Sequence, residues 1–140
     1  MKLSEAIRLG AMLRPQTTGA IYKHGKSCAW GAAWEAVGGD ITHWDYSKGI
    51  SSISICQDYW PKLSLAYVPN PITGDTRPIW SIIESLNDNP NCWTRERIAD
   101  WVASIESHEE VLSDTTKTTT ANPVSKHITS DTRVECPTAR

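Results

Sequence analysis

The chain contains no phenylalanine, no CxxC or CxH pair, no excess of basic residues and no long apolar run, and each absence narrows what it can be. Lys plus Arg number 14 against 16 Asp plus Glu, a formal net charge of −2 at pH 7. Proteins dedicated to nucleic acid draw much of their affinity from neutralising phosphates, so this balance weakens that role and leaves room only for a local basic patch. The four cysteines, Cys28, Cys56, Cys92 and Cys136, are too widely spaced for a compact zinc motif or a small disulfide scaffold. Met1-Lys2-Leu3-Ser4-Glu5 opens no apolar signal-peptide core, and no stretch reaches the roughly 18 apolar residues of a membrane span. The expectation is a cytoplasmic protein with reduced thiols and no membrane attachment. No P-loop, GxGxxG or HExxH string occurs, so no nucleotide, zinc or other cofactor is expected.

What the chain does have is tryptophan. Seven Trp stand beside four Tyr in 140 residues. Tryptophan brings a large apolar area with one N–H that needs a partner when buried, so such a chain has either a bulky core or aromatic rings on a binding face.

The length suits one domain, expected over residues 1–112, followed by a Thr/Ser-rich tail at 113–140. That tail has few apolar residues and no periodicity. It cannot bury enough surface to offset its conformational entropy, and it reads as disordered with Cys136 exposed in it.

The clearest structure signal lies between Asp75 and Ser107. Ile79, Ile82, Ile83 and Leu86 form one helical stripe, and Ile98, Trp101, Val102 and Ile105 form a second. Asn87-Asp88-Asn89-Pro90-Asn91 breaks the chain between them, which predicts an antiparallel helix hairpin. Pro78 suits the first turn of the first helix, with Asp75 or Thr76 as its cap; Thr94 suits the N-cap of the second, with Trp93 and Ile98 as a hydrophobic staple. Glu106 and His108 mark that helix's fading end.

Upstream, Ser4 caps a helix running to about Leu13, stopped by Pro15. Ala20-Ile21-Tyr22-Lys23, between Gly19 and Gly25, fits a short strand or extended loop. Ser27 then caps a helix over Cys28–Val37 that ends at Gly38-Gly39. Its small residues, Ala29, Gly31, Ala32, Ala33 and Ala36, admit close approach of another helix and place it at the domain centre. Ile50, Ile53, Gln57 and Trp60 fit helical spacing, which outweighs the strand-like Ser/Ile alternation, and Pro61 ends that helix. The fold class expected is therefore mainly α: a small single-domain helical fold with a C-terminal hairpin and one short β element.

Candidate chemistry is sparse. Cys28 with His24 four residues before it has the residue types of a nucleophile and its base, and a helix start lowers a thiol pKa. No nucleophile motif surrounds the pair, and a small buried cysteine in an alanine-rich helix with His24 in a loop is the favoured account. Cys28, Cys56, Cys92 and His43 would need to converge through the tertiary fold to hold a metal, so no metal site is expected. Asp58, Glu84, Asp88, Glu96 and Asp100 have the residue type of paired catalytic carboxylates, but Glu96 and Asp100, one turn apart beside Arg95 and Arg97, look like a solvated helix face, and no acid–base site is expected. The Thr94–Val102 run is similar to the first helix of helix-turn-helix units, but no glycine-containing turn and recognition helix follow it.

Three segments together, KLSEAIRLGAMLRPQ, SCAWGAAWEAVG and LNDNPNCWTRERIADWVASIE, resemble a group of small uncharacterised bacterial and phage proteins. That group carries an SEAIRLGA stretch, a CAxGA helix and an LND…WTRExIADWV ending. The resemblance implies a phage or prophage origin and supplies no activity to expect. Some members carry a Cys-Pro-x-Cys element and histidines flanking the LND motif, a zinc-finger-like set. Here Val68-Pro69-Asn70-Pro71, Ser85 and Asn89 or Pro90 fall at those places, which implies that the metal ligands are lost and that Ile and Trp packing replaces them.

The function expected is a non-enzymatic small binding protein acting through protein–protein contacts, with Trp44, Tyr46, Tyr59 and Trp60 as contact residues and self-association as one form of partnership. The alternative is a nucleic-acid-binding regulator using Arg95 and Arg97, and the second alternative a cysteine-dependent enzyme built on Cys28.

Overall fold

The computed structural model describes residues 1–88 and 90–115, apart from the side chains of Tyr46 and residues 111–115. The tail expected to be disordered, with Cys136, therefore lies outside the described residues from 116 onward.

The architecture is mainly α. Among the described residues six α-helices, α1 (Leu3–Ala11), α2 (Ala29–Ala36), α3 (Ser52–Tyr59), α4 (Pro61–Ser64), α5 (Ile79–Asn87) and α6 (Arg95–Thr115), are joined by two small hairpins. Strands β1 (Tyr22–Lys23) and β2 (Lys26–Ser27) pair antiparallel, as do β3 (Tyr67–Pro69) and β4 (Thr76–Pro78). The β1–β2 turn is His24-Gly25 with φ of 50° and 74°, the two positive values that a two-residue hairpin matching strand twist requires. Where one short β element was expected there are two, because Thr76–Pro78 extends against Tyr67–Pro69 before α5 begins at Ile79.

The small-residue reading of α2 holds at atomic scale. A Cβ on Gly10 of α1 would stand 1.8 Å from the carbonyl oxygen of Ala32, and one on Gly31 would stand 2.2 Å from that of Ile21. Glycine at these two places lets α1 and the 21–22 segment close directly onto α2, which is the most extensive helix contact of the fold. Trp30 is buried in the middle, its ring 6.4 Å from that of Trp60 and its Nε1 donating to the Trp80 carbonyl.

Several helix ends differ from expectation. Helix α1 starts at Leu3, so Ser4 is not its cap; its hydroxyl is buried and donates to Glu106. Cys28, not Ser27, caps α2, because Ser27 is taken up in β2. Pro61 ends α3 but also opens the short α4, where its missing N–H is harmless. Thr94 caps α6 as expected, its hydroxyl accepting from the Arg97 N–H at 3.2 Å. Trp93 carries the Arg97 guanidinium 4.0 Å above its ring centre.

Helices α5 and α6 both form, but α6 lies most extensively against α1. Lys2 pairs with Glu110, Ser4 with Glu106, Arg8 with Asp100, and the Arg14 carbonyl with Arg95. Partner numbers fall along α6 as they rise along α1, so the two run antiparallel. The buried stripe of α6 is Arg95, Ile98, Ala99, Val102 and Glu106. It is rotated from the apolar stripe of the sequence, which leaves Trp101 and Ile105 half-buried at its edge. Helix α6 also runs on past Glu106 and the 112 boundary to Thr115. No helix among the described residues is long and apolar enough to cross a membrane.

Candidate functional site

The first turn of α2 meets the end of α5 in a half-open cleft of about 220 Å³. Cys28 sits there with extended backbone, and its sulfur accepts the Gly31 N–H at 3.4 Å. The Ala29 N–H is taken by a residue far away in sequence: Asn87 Oδ1 accepts it at 3.0 Å. The same oxygen accepts Gln16 Nε2 at 3.0 Å, while Asn87 Nδ2 donates to the Thr17 carbonyl at 2.9 Å. One buried amide thus ties α2, α5 and the 16–17 segment together. Asp88 Oδ1 adds an acceptor for the Gly19 N–H at 2.9 Å. On the opposite lip, buried Ser52 at the start of α3 donates to Glu84 Oε1 at 2.5 Å.

The remaining wall is Ala20, Ile21, Trp30, Ile50 and Ser51. Among the described residues no Lys, Arg or His lines the cleft. Burial pushes the Cys28 thiol up to about 11, and the nearby charges of Asp88 and Glu84 act in the same direction. A thiol so placed is protonated at neutral pH. His24 stands in the β1–β2 turn, and His43 pairs with Asp40 at 2.8 Å on the surface, so neither histidine is brought to Cys28. What the cleft offers is hydrogen-bond acceptors, one weak S–H donor and negative charge.

The residues singled out from sequence are scattered. Trp60 is buried and donates from Nε1 to the Met1 carbonyl; Tyr59 is exposed and packs on its ring at 5.8 Å. Trp44 is half-buried, its Nε1 donating to the Ile50 carbonyl. Tyr46 lies in a short 3₁₀ turn, Tyr46–Lys48. Arg97 is exposed, whereas Arg95 is interior: its guanidinium donates to the Ser27 hydroxyl at 2.9 Å and to the carbonyls of Arg14 and Ala11 at 2.5 and 3.3 Å. Trp60 and Arg95 therefore hold the fold together and present little surface to a partner. Where the resemblance places metal ligands, Val68 and Pro69 are in β3, and Ser85 accepts Asn91 Nδ2 through its carbonyl at 2.8 Å. Among the described residues no group of three or more His, Cys, Asp or Glu is placed to hold a metal ion.

The residues that build the cleft, Asn87, Asp88, Glu84 and Ser52, were not expected as site residues. Glu84 and Asp88 have the residue type of paired carboxylates but no local pattern joins them, and Asn87-Asp88 reads locally as a helix break within the LND string of the resemblance. No protein-family model, curated protein or solved structure matches this chain.

Proposed function

We propose that the protein is a non-enzymatic binding protein acting through protein–protein contacts, with its contact face along the middle of α6. The observation that carries this reading is the rotated stripe of α6. Trp101 and Ile105, apolar residues left over from the buried face, line a groove of about 460 Å³ with Ala66, Tyr67, Val68 and Pro69. Tyr67 is 68% exposed and neighbouring Leu65 81% exposed. A second groove of about 520 Å³ lies between α4 and the other side of α6, lined by Trp60, Pro61, Leu63, Glu106, Glu109 and Glu110 with Lys2 and Lys62. Aromatic residues partly covered inside a polar rim are the composition of protein-binding hot spots. Glu109 borders both grooves, so the fitting partner is a protein segment with apolar side chains and a basic flank.

The test is affinity capture with the full chain and with Leu65→Ser/Tyr67→Ser, two exposed positions whose change leaves the core intact. One protein retained by the parent and lost by the variant supports the reading. Equal retention by both removes this face from consideration. Recovery of nucleic acid in place of protein favours the regulator reading through Arg97.

A further inference from the structure

Strand β3 leaves one edge open on the groove beside α6. The Ile79 N–H donates to the Ala66 carbonyl and the Asn70 N–H to the Asp75 carbonyl, with Val68 opposite Arg77 between them. Bonded residues alternate along an antiparallel strand, so Ala66, Val68 and Asn70 turn to β4 while the N–H and C=O of Tyr67 turn away from it. Among the described residues no backbone group pairs with Tyr67. The groove touches four successive residues, Ala66 to Pro69. Side chains on a strand alternate between its two faces, so a groove lined by successive residues runs along the edge. Trp101 and Ile105 form its far wall, and Glu109, also on its lining, stands in no ion pair among the described residues. An open edge beside an apolar wall accepts an extended segment as an added strand, held by main-chain bonds and selected by its alternate side chains.

The chain itself carries a segment of that kind. Past the described residues, positions 116–140 hold four basic residues, Lys117, Lys126, Arg133 and Arg140, against two acidic ones, whereas positions 1–115 hold ten against fourteen. The two parts are opposite in sign. Within Pro123-Val124-Ser125-Lys126-His127-Ile128, an extended conformation puts Val124, Lys126 and Ile128 on one side, two β-branched apolar residues flanking a lysine. That pattern matches the apolar wall and the unpaired carboxylate of the groove. The distance is also within reach. Along α6, Thr115 stands about 9 Å from Glu109 and about 21 Å from Trp101. Residues 116–122 can span up to about 23 Å.

Resting on the reading of this groove as a protein-contact face, we propose that the protein covers it with its own chain. Residues 123–128 pair with the free edge of β3, set Val124 and Ile128 against Trp101 and Ile105, and bring Lys126 to Glu109. A tether of this length gives an effective concentration on the order of millimolar, so a contact too weak to persist between separate molecules keeps most chains closed. A partner must displace the segment, and its apparent affinity falls with the fraction of chains left open.

The test compares the full chain with full-length Val124→Ser/Ile128→Ser by hydrogen exchange and chemical shift at the Tyr67 amide. The parent is expected to protect that amide at least about tenfold over the variant, with shift differences at Tyr67, Val68 and the Trp101 indole and none between α1 and α2. Lys126→Glu is expected to lose part of the protection, and Glu109→Lys to restore it when the two are combined. Equal exchange at Tyr67 in parent and variant overturns the proposal. Protection that grows with protein concentration overturns the intramolecular arrangement and assigns the segment to a second copy. This readout needs no outside partner, so it stands apart from affinity capture. Failed capture with a protected Tyr67 keeps the segment on its groove and removes the partner; successful capture with equal Tyr67 exchange keeps the partner and removes the segment.

Discussion

Glu106 of α6 accepts the Ser4 hydroxyl at 2.5 Å and, through its other oxygen, the Leu3 N–H at 2.8 Å. This buried carboxylate occupies the N-terminus of α1, where the first amides have no partner inside the helix and where negative charge is favoured. Replacement by alanine leaves a buried hydroxyl and a buried N–H unsatisfied. Glu106→Ala is expected to cost about 2–4 kcal/mol, read by urea denaturation, with loss of amide-exchange protection concentrated in the first turn of α1.

Asn87 makes its bonds with both ends of one amide, so its two natural replacements fail differently. Asn87→Ala removes acceptors for Ala29 and Gln16 and the donor to Thr17. About 2–4 kcal/mol of stability is expected to be lost. Asn87→Asp keeps the acceptors but loses the donor and puts a second carboxylate beside Asp88. It is expected to be destabilised more at pH 7 than at pH 4, where an aspartate in that setting takes up a proton. A denaturation midpoint independent of pH in this variant, relative to the parent, would count against the geometry.

Gly10→Ala inverts a general trend. Inside a helix this change favours folding by about 1 kcal/mol. Here the added Cβ would stand 1.8 Å from the Ala32 carbonyl oxygen, a backbone atom that cannot step aside alone. A net loss of about 1–3 kcal/mol is expected in thermal or chemical denaturation. A more stable variant would show that α1 and α2 do not cross at this point.

The buried thiols make stability fall in alkali. Burial pushes Cys28 up to about 11 and Cys56 up to about 12, from an ordinary value of 9.0. Below pH 9 both thiols are protonated in the folded and unfolded chain alike, and they add no pH dependence. Between pH 9 and these raised values the unfolded chain ionises first, so stability drops by about 1.4 kcal/mol per pH unit for each thiol. Urea titrations from pH 8 to 11 should show that slope, and Cys56→Ala should reduce it.

His24 holds a positive φ of 50° at the first position of a tight hairpin turn, with its side chain exposed. Asparagine tolerates that conformation better, and Asn-Gly is the favoured pair for such turns. His24→Asn is expected to raise stability by a few tenths to about 1 kcal/mol, measured by denaturant midpoint at unchanged slope.

The local signals that the structure reproduces are those carried by neighbours in the chain. Ile79, Ile82, Ile83 and Leu86 mark the buried face of α5 correctly, and Thr94 marks the start of α6. The small residues of α2 correctly indicate close helix approach. The face of α6 was legible only in part: Ile98 and Val102 lie on it as read, but two other members of its buried stripe are charged. Arg95 and Glu106 enter the interior only because Ser27, the Arg14 carbonyl, Ser4 and the Leu3 amide wait for them there. The cleft was hidden for a similar reason: Asn87 and Ala29 are 58 positions apart.

The sequence by itself determined that this is a mainly α chain, where its long helices lie and that α2 would be crowded by its neighbours. Apolar periodicity, caps and glycine act within a few residues and are written in their order. Only the tertiary structure decided that α6 packs chiefly on α1, that Trp101 and Ile105 line a groove, and that Cys28, Glu84, Asp88 and Asn87 surround one cleft. Those outcomes depend on buried polar groups finding partners across the fold, and no local pattern encodes which partner each one meets.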